Sequence, residues 1–191
     1  MNSAAMIGGD VGSRNAFDFY PTPADVTQAL IDYLNIPRTV TIWEPASGDG
    51  AISRVLEMAG YSVYSSDIRP EGYGEVGIDF LYETQRRGDM VITNPPFNVA
   101  EEFIGKCTAY GIPFALLLKS QYFQAMSRLT LFREIPPALV LPLSWRPSFD
   151  LSRGNQPTME FSWFVWDKSR EGTRYDVLVR PDKSGQGRAG K

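Results

Sequence analysis

Histidine is absent from the 191-residue chain, and cysteine occurs once, at Cys107. Without histidine there is no Ser-His-Asp or Cys-His nucleophile pair, and the most common general base is missing. A single cysteine excludes an internal disulfide and a zinc site with four cysteine ligands. Cys107 falls in a helical pattern, which favours a reduced thiol in the core. Catalysis would therefore depend on carboxylates, amides, backbone groups, Lys or Tyr, or on a reactive cofactor, and we predict no metal.

Hydrophobic runs long enough to span a membrane are also lacking, and residues 1–16 do not have the basic and then apolar layout of a secretory signal. We therefore expect a cytoplasmic protein. The composition, with 43% hydrophobic and 13% aromatic residues, is typical of a folded chain. We place one domain at 17–181, between a flexible N-terminus at 1–16 and a disordered tail at 182–191.

Charge is distributed unevenly along the chain. Residues 1–97 carry 6 Lys and Arg against 13 Asp and Glu, whereas residues 98–191 carry 13 against 9. The overall acidity argues mildly against a nucleic-acid partner, but the basic second half could face a polyanion while the first half faces something else. A merely solvated surface explains the same numbers.

Helical and strand-like patterns alternate between the loose ends. Helices are predicted at 23–34, 51–58, 99–110 and 123–133, and strands at 40–43, 61–66, 76–80, 90–93, 114–118, 138–143, 161–166 and 175–179. Strands separated by helices imply right-handed crossovers and a mostly parallel sheet covered on both faces. The last strands follow one another without a helix, which indicates an antiparallel hairpin at one edge.

The segment Asn94-Pro95-Pro96-Phe97 directly follows the strand predicted at 90–93. In an open α/β sheet, ligands bind beyond the carboxyl ends of the strands. The two prolines have no N–H groups and leave carbonyl oxygens free to accept hydrogen bonds. The side chain of Asn94 adds an acceptor and Phe97 adds an apolar plate, so the group suits an exocyclic amine on a flat molecule. The alternative is a Pro-Pro turn after a buried strand.

A glycine loop at 43–51 joins the first strand to the next helix. Glycines at this point let a ligand approach the backbone at the helix N-terminus. The third glycine of a dinucleotide site is replaced by Ser53, and no Gly-Lys-Ser/Thr sequence is present, which excludes a P-loop. Glu44 and Asp49 would repel a pyrophosphate. These carboxylates suit a ligand that carries positive charge, such as an amino acid moiety or a sulfonium.

Two more carboxylates follow the next two strands. Asp67 lies 19 residues beyond Gly48, where an acidic residue typically accepts hydrogen bonds from ribose hydroxyls. Asp79, followed by Phe80, is predicted to end the third strand, where a carboxylate can accept from an adenine amino group. Together these parts indicate a nucleoside with a cationic tail. The alternative is a set of separate surface carboxylates.

Five segments, in the chain order 19–23, 44–50, 67–68, 79–80 and 94–97, resemble the class I S-adenosylmethionine-dependent methyltransferases, and among them the N6-adenine DNA methyltransferases of the Asn-Pro-Pro-Phe type. The resemblance covers about residues 20–166. It implies a single α/β, Rossmann-like methyltransferase domain with a mostly parallel seven-stranded sheet and an antiparallel hairpin at one edge.

The resemblance also implies where S-adenosyl-L-methionine would bind. Residues 19–23 look like the upstream cofactor motif, 44–50 like the glycine loop, and 67–68 like the ribose-binding strand end, with the isoleucine against the adenine ring. The implied cofactor-binding residues are Tyr20, Pro21, Thr22, Glu44, Pro45, Ala46, Ser47, Gly48, Asp67, Ile68, Asp79 and Phe80. The implied catalytic residues are Asn94, Pro95, Pro96 and Phe97.

The chain departs from the family pattern after the catalytic half, because only about 25 residues follow Trp166. Contacts to DNA would then come chiefly from the segment 144–159, whose aromatic and basic residues suit stacking and phosphate contact. The predicted nucleic-acid-binding residues are Lys119, Trp145, Arg146 and Arg153. The alternative is that this segment merely connects two strands of a hairpin.

The implied reaction is transfer of a methyl group to the exocyclic N6 of adenine in DNA, without a covalent enzyme intermediate. The Asn94 side chain and the Pro95 carbonyl would accept the two amine protons while Phe97 stacks on a base that is flipped out or single-stranded. Two alternatives stay open. One is the same chemistry on another planar amine or amide, such as an RNA base or a protein glutamine; the other is a non-catalytic cofactor or nucleic-acid binding module.

Overall fold

The computed structural model describes residues 21–149 and 159–182 of the chain. The α-helices in these residues are α1 (Ala24–Leu34), α2 (Ala51–Met58), α3 (Ala100–Tyr110) and α4 (Leu129–Glu134). The strands are β1 (Thr41–Glu44), β2 (Ser62–Asp67), β3 (Glu75–Val76), β4 (Met90–Thr93), β5 (Phe114–Lys119), β6 (Leu139–Pro142), β7 (Phe161–Trp166) and β8 (Arg174–Tyr175). The predicted N-terminus 1–16 lies outside the described residues, as do 183–191 of the predicted tail at 182–191 and the residues Tyr20 and Arg153.

The strands form one sheet in the order β3-β2-β1-β4-β5-β7-β6-β8. All neighbours are parallel except β7, which runs antiparallel to both β5 and β6. The carboxyl ends of the parallel strands and the start of β7 therefore meet at one edge, which we call the rim. The predicted α/β class with a mostly parallel sheet and an antiparallel pair is confirmed.

The strand count differs from the seven that the resemblance implies, and the antiparallel strand does not lie at an edge of the sheet. The sheet has eight strands because the short β8 adds to β6 in parallel, and the antiparallel β7 lies inside the sheet, between β5 and β6. Since β7 is fully buried along its length, it is a central strand rather than part of an edge hairpin.

Helices cover both faces of the sheet. On one face, apolar residues of α1 and α2 such as Leu30 and Leu56 pack against the sheet, and on the other α3 contributes Phe103 and Cys107. Residues Phe114 to Leu118 of β5 are all buried, as expected for a strand covered on both sides. Burial raises the pKa of the Cys107 thiol, which is consistent with an inert core residue.

Most predicted bounds hold to within one residue, and three do not. The last strand, predicted at 175–179, covers only Arg174–Tyr175. The bounds of α2, β4 and β7 are those predicted. The third strand is shorter, because Gly77 has a φ of 74° and turns the chain out of the sheet. In place of one helix over 123–133, two 3₁₀ turns precede the short α4, since Ala125 between them is extended with φ −121° and ψ 125°.

Within the described ranges, the helices are too short or too polar to cross a lipid bilayer.

Candidate active site

A cavity of about 450 Å³ opens at the rim, above the ends of β1, β2 and β4. Its volume is within the ~300–1,000 Å³ that is usual for small-molecule and cofactor sites. Thirteen of the residues predicted from the sequence line it: Pro21, Thr22, Glu44, Pro45, Ala46, Ser47, Gly48, Asp67, Ile68, Asp79, Phe80, Asn94 and Pro96. The two remaining catalytic candidates in the described chain, Pro95 and Phe97, are not part of the cavity wall.

The glycine loop is shaped by two residues in the left-handed region, Gly48 with φ 60° and Gly50 with φ 84°. The N–H of Ser47 donates to the carbonyl of Ser66 on β2 at 3.0 Å, and the N–H of Gly50 donates to the carbonyl of Ser47 at 2.7 Å. Residues with a side chain rarely adopt such φ values, so the glycines are what allow the tight turn. The loop ends where Gly50 caps the N-terminus of α2.

Asp67, at the end of β2, is buried and tied to the glycine loop. Its Oδ2 accepts the N–H of Gly48 at 2.7 Å. Its Oδ1 accepts the backbone N–H of Arg69 at 2.8 Å and the Nε–H of the same residue at 3.1 Å. The carboxylate that the sequence assigns to a ribose therefore also organises the protein around it.

Glu44, at the end of β1, is almost completely buried although it contributes to the cavity wall. The hydroxyl of Ser53 donates to its Oε2, and the Ser65 hydroxyl lies 2.6 Å from that of Ser53. Burial raises the pKa of the Glu44 carboxyl well above its ordinary value, and the nearby Asp49 and Asp67 act in the same direction. A cation entering the cavity would oppose this shift and favour the ionised form.

The cavity wall is acidic. Four carboxylates line it, from Glu44, Asp49, Asp67 and Asp79, and among the described residues of the wall Arg69 is the one cationic side chain. Such a wall disfavours a pyrophosphate and favours a ligand with positive charge. In the described chain, no group of three or more Cys, Asp or Glu side chains is arranged to hold a metal ion.

The far end of the cavity combines apolar surface with one carboxylate. Ile68 is 54% exposed, which makes it available to a flat ring. Asp79 accepts the N–H of Leu81 at its Oδ1, at 2.9 Å. Phe80 is only 2% exposed and packs edge-on against Trp43, with ring centroids 5.0 Å apart. Phe80 is thus mainly a core residue, and Asp79 lies in the loop beyond the short β3 rather than at its end.

At the other end of the cavity, the segment after β4 meets the segment before α1. The Nδ2 of Asn94 donates to the hydroxyl of Thr22 at 3.2 Å. This contact joins two predicted motifs that are 72 residues apart in sequence and orients the Asn94 amide. Pro95 is buried, whereas Pro96 is half-buried and lines the cavity.

Phe97 lies beside the cavity rather than in its wall. It begins a 3₁₀ turn, Phe97–Val99, that leads into α3. Its half-buried ring packs on Phe161 with centroids 6.0 Å apart, and the Nζ of Lys119 lies 4.9 Å from its centroid. Phe149 also packs on Phe161, with ring centroids 4.5 Å apart. An aromatic cluster with one cation therefore adjoins residues 94–97, which we call the tetrad.

The other predicted nucleic-acid-binding residues are placed on the same edge but in different surroundings. Trp145 is half-buried against the core, with the guanidinium of Arg180 6.0 Å from its ring centroid. Arg146 is 60% exposed and pairs with Glu160 at 2.8 Å. In the described residues, the contacts of Trp145 and Arg146 are therefore separate from the contact of Lys119 with Phe97.

Sequence reasoning missed several residues of the cavity wall. These include Arg69, Ile78, Leu81, Asn98, Val99 and Phe103. Arg69 follows Asp67-Ile68 directly and the residues at 98 and 99 follow the tetrad, so proximity in sequence was a usable signal. Phe103 carried none, because its side chain reaches the site only through the packing of α3.

Solved structures share this architecture. A provisionally named type I restriction enzyme modification subunit from Vibrio vulnificus YJ016 superposes with a TM-score of 0.60 at 14% identity, covering 88% of this chain and 48% of that one. A provisionally named RNA methyltransferase from Pyrococcus horikoshii gives a TM-score of 0.60 at 17% identity, covering 79% of this chain and 87% of that one. A provisionally named class I S-adenosylmethionine-dependent methyltransferase from Listeria monocytogenes gives 0.59 at 16% identity, covering 83% and 64%.

The chain spans about half the length of the Vibrio subunit. No family model and no curated protein matches the sequence. At these identities the structural likeness establishes the fold and leaves the substrate open. The strand order, the single antiparallel strand and the cavity at the ends of β1, β2 and β4 agree with it. The chain therefore has the fold of the class I S-adenosylmethionine-dependent methyltransferases.

Proposed function

We propose that this protein transfers a methyl group from S-adenosylmethionine to the exocyclic N6 of adenine in DNA. One observation carries the proposal: Asn94 and Pro96 share a single cavity with the glycine loop and with Asp67 and Asp79. A donor held by the loop and an amine held by the tetrad would meet in that cavity.

The residues of the cavity fit the cofactor. The acidic wall matches a ligand that carries an ammonium group and a sulfonium and is positively charged overall. The exposed Ile68 offers an apolar surface to an adenine ring, and Asp79 offers a carboxylate near it. We expect the Oδ2 of Asp67, which already accepts the N–H of Gly48, to accept a ribose hydroxyl as well. When bound, S-adenosylmethionine supplies a methyl group that is already activated on sulfur.

The tetrad would supply acceptors and position, and no acid or base is required of it. An adenine N6 is a weak nucleophile because its lone pair is delocalised into the ring. The Asn94 side chain and the Pro95 carbonyl would accept its two protons and so favour a more tetrahedral nitrogen. Thr22 holds the Asn94 amide in place. Aligned geometry can lower a barrier by ~7–11 kcal/mol, which suits a chain without histidine.

The aromatic cluster supports a nucleic-acid substrate. A half-buried Phe97 that rests on Phe161 is a rigid ring for base stacking, which is worth ~1–3 kcal/mol per base. Lys119 beside it could contact a phosphate of the same nucleotide. Trp145 and Arg146 lie further along the rim, where flanking nucleotides would pass. Since a base within a duplex cannot enter this site, the target would be flipped out or single-stranded.

RNA is the second candidate substrate, and one observation favours it. The chain spans 87% of the length of the Pyrococcus protein that is provisionally named an RNA methyltransferase. The Vibrio protein, named as a restriction modification subunit, supports DNA instead. Thr22 belongs to the upstream motif, one of the segments that resemble the N6-adenine DNA methyltransferases. Its contact with Asn94 makes this motif part of the same site, and for that reason we favour DNA.

The test is a labelled-methyl assay with purified protein on single-stranded DNA, duplex DNA, RNA and a glutamine-containing peptide. We expect label in DNA, and N6-methyladenine after digestion to nucleosides and mass spectrometry. N6-methyladenine found in RNA alone would mean that the substrate is RNA, while the proposed methyl transfer to adenine N6 would still hold. Methylglutamine, or cofactor binding with no product on any polymer, would contradict the proposal.

A further inference from the structure

The segment Gly72-Tyr73-Gly74 lies directly on β2, behind the cavity. A Cβ added at Gly74 would stand 2.3 Å from the carbonyl oxygen of Ser65, and one added at Gly72 would stand 2.5 Å from the Cβ of Asp67. No side chain fits at such distances, so both glycines are required for this close approach. Because Gly72 and Gly74 pack closely on β2, the position of Tyr73 relative to this strand is fixed.

The backbone of Tyr73 is hydrogen-bonded to the glycine loop at both of its polar groups. Its N–H donates to the carbonyl of Gly48 at 2.9 Å. Its carbonyl accepts the hydroxyl of Ser47 at 2.6 Å. The first half of the loop is therefore fixed between Tyr73 and β2, since Ser47 also donates its N–H to Ser66.

The ring of Tyr73 covers the second half of the loop. A Cβ added at Gly50 would stand 2.4 Å from the ring, so the loop and the ring are in direct contact. The phenol donates to the Oε2 of Glu57 at 2.9 Å, and the guanidinium of Arg54 lies 4.7 Å from the ring centroid. Both of these residues belong to α2, so the ring is fastened to the helix that the loop precedes.

Tyr73 is not part of the cavity wall, so it reaches a ligand only through the loop. We propose that Tyr73 is a positioning residue that holds residues 47–50 in their ligand-accepting shape before any ligand binds. A loop with two glycines in the left-handed region has much conformational freedom to lose. Fixing it in advance removes that cost from binding. The identity of the ligand rests on the proposed function, whereas the order of the loop does not.

Hydrogen exchange of the ligand-free protein, read by mass spectrometry over residues 47–51, measures this order directly. The amides of Gly48, Gly50 and Ala51 are hydrogen-bonded within or beside the loop. We expect Tyr73→Ala to raise their exchange rates at least about tenfold, while peptides from β5 keep their rates. Both variants keep the backbone of residue 73, but only Tyr73→Phe keeps the ring, so its amides over 47–51 should exchange within about twofold of the wild-type rates.

Gly50→Ala, made alone and in the Tyr73→Ala protein, separates contact with the ring from backbone strain. Both proteins place a side chain at a φ of 84°, but only the first retains the ring that this side chain meets. We expect Gly50→Ala alone to speed exchange over 47–51, and to add at most about twofold to the rates of Tyr73→Ala. Where Tyr73→Ala fails to fold, Tyr73→Leu takes its place in both proteins, because leucine keeps an apolar side chain there without the ring.

Calorimetry with S-adenosylmethionine completes the experiment. The inference predicts affinity at least about tenfold weaker in Tyr73→Ala, and within about twofold of the wild type in Tyr73→Phe. Unchanged loop exchange in Tyr73→Ala and Gly50→Ala would overturn the inference, whatever their melting temperatures. A wild type that binds no S-adenosylmethionine would overturn the proposed function instead, and the exchange result would still decide the role of Tyr73.

Discussion

The rim of the sheet has two halves that are held together in different ways. The acidic half consists of the loops after β1, β2 and β3, and the aromatic half consists of the ends of β4, β5 and β6 with the start of β7. Hydrogen bonds to the backbone hold the acidic half, as between Asp67 and the N–H of Gly48 at 2.7 Å. Ring packing holds the aromatic half, as between Phe97, Phe149 and Phe161.

The difference matches two kinds of ligand. A wall of carboxylates around a closed turn suits one small cation in one orientation. Rings with scattered cations tolerate many bases and follow a charged backbone. The charge along the sequence shows the same division, acidic before residue 98 and basic after it. Asn94 lies where the halves meet, in contact with Thr22 and on the cavity wall.

The sharpest test of this division is Asn94→Ala, because it removes an acceptor at the boundary. Methyl transfer to DNA should fall by about 10²–10³-fold, as for the loss of one preorganised hydrogen-bonding group at a reacting centre. Cofactor affinity by calorimetry should stay within about threefold, since the acidic half is intact. The exposed Gln124→Ala is the matched control. Equal turnover of Asn94→Ala and Gln124→Ala would mean that Asn94 takes no part in methyl transfer.

A change within the acidic half should act on the cofactor. Asp67→Ala removes the acceptor of the Gly48 and Arg69 hydrogen bonds. Bonds to a charged group are worth ~1.5–3 kcal/mol, so cofactor affinity should weaken by about 10–100-fold. Asp32→Ala, on the exposed face of α1, serves as the control in the same calorimetric titration. An affinity equal to that of the control would place the ligand away from β2.

Two variants should separate the halves from each other. Phe97→Ala should lower kcat/KM for DNA by about 5–150-fold through lost stacking, and leave cofactor affinity near that of the wild type. Ile68→Ala should weaken cofactor affinity by up to about tenfold and leave the KM for DNA unchanged at saturating cofactor. Steady-state kinetics and calorimetry on both proteins check the pattern. The same defect in both variants would mean that the halves are not independent.

A pH dependence should distinguish the acidic half in the ligand-free protein. Burial raises the folded pKa of Glu44, so the fold favours its protonated form. Its stabilising contribution is complete below the unfolded pKa, near 4.3, and is lost as the pH rises through the folded pKa. Melting temperatures measured upward from that pH should therefore fall more in the wild type than in Glu44→Gln. The melting temperature of Glu134→Gln, a change at an exposed residue, should depend on pH as that of the wild type does. The same pH dependence in Glu44→Gln would contradict the raised pKa of Glu44.

Much of this architecture could be predicted from the sequence, because it depends on local pattern. The apolar runs of β4 and β7 and the amphipathic α2 have the predicted bounds. The short β3 was not predictable from apolar residues alone: Phe80 extends the pattern, but it leaves the sheet after Gly77 and packs on Trp43. The prediction of one helix over 123–133 was wrong for a similar reason, because the backbone of Ala125 is extended and interrupts the helical pattern.

The candidate site shows the same limit. Residues in recognisable order, such as Asn94 and Asp67, could be named in advance. The contacts that place them could not, because they join distant segments: Thr22 with Asn94, and Tyr73 with Gly50. Such pairs depend on the order β2-β1-β4 in the sheet, which no local sequence pattern encodes.

The decisive experiment is a crystal structure of the protein with bound S-adenosylmethionine. We expect the donor in the cavity of about 450 Å³, with its adenine ring against Ile68 and its methyl group directed to Asn94 and Pro96. A donor bound elsewhere on the protein, or in this cavity with its methyl group facing away from Asn94, would contradict this placement.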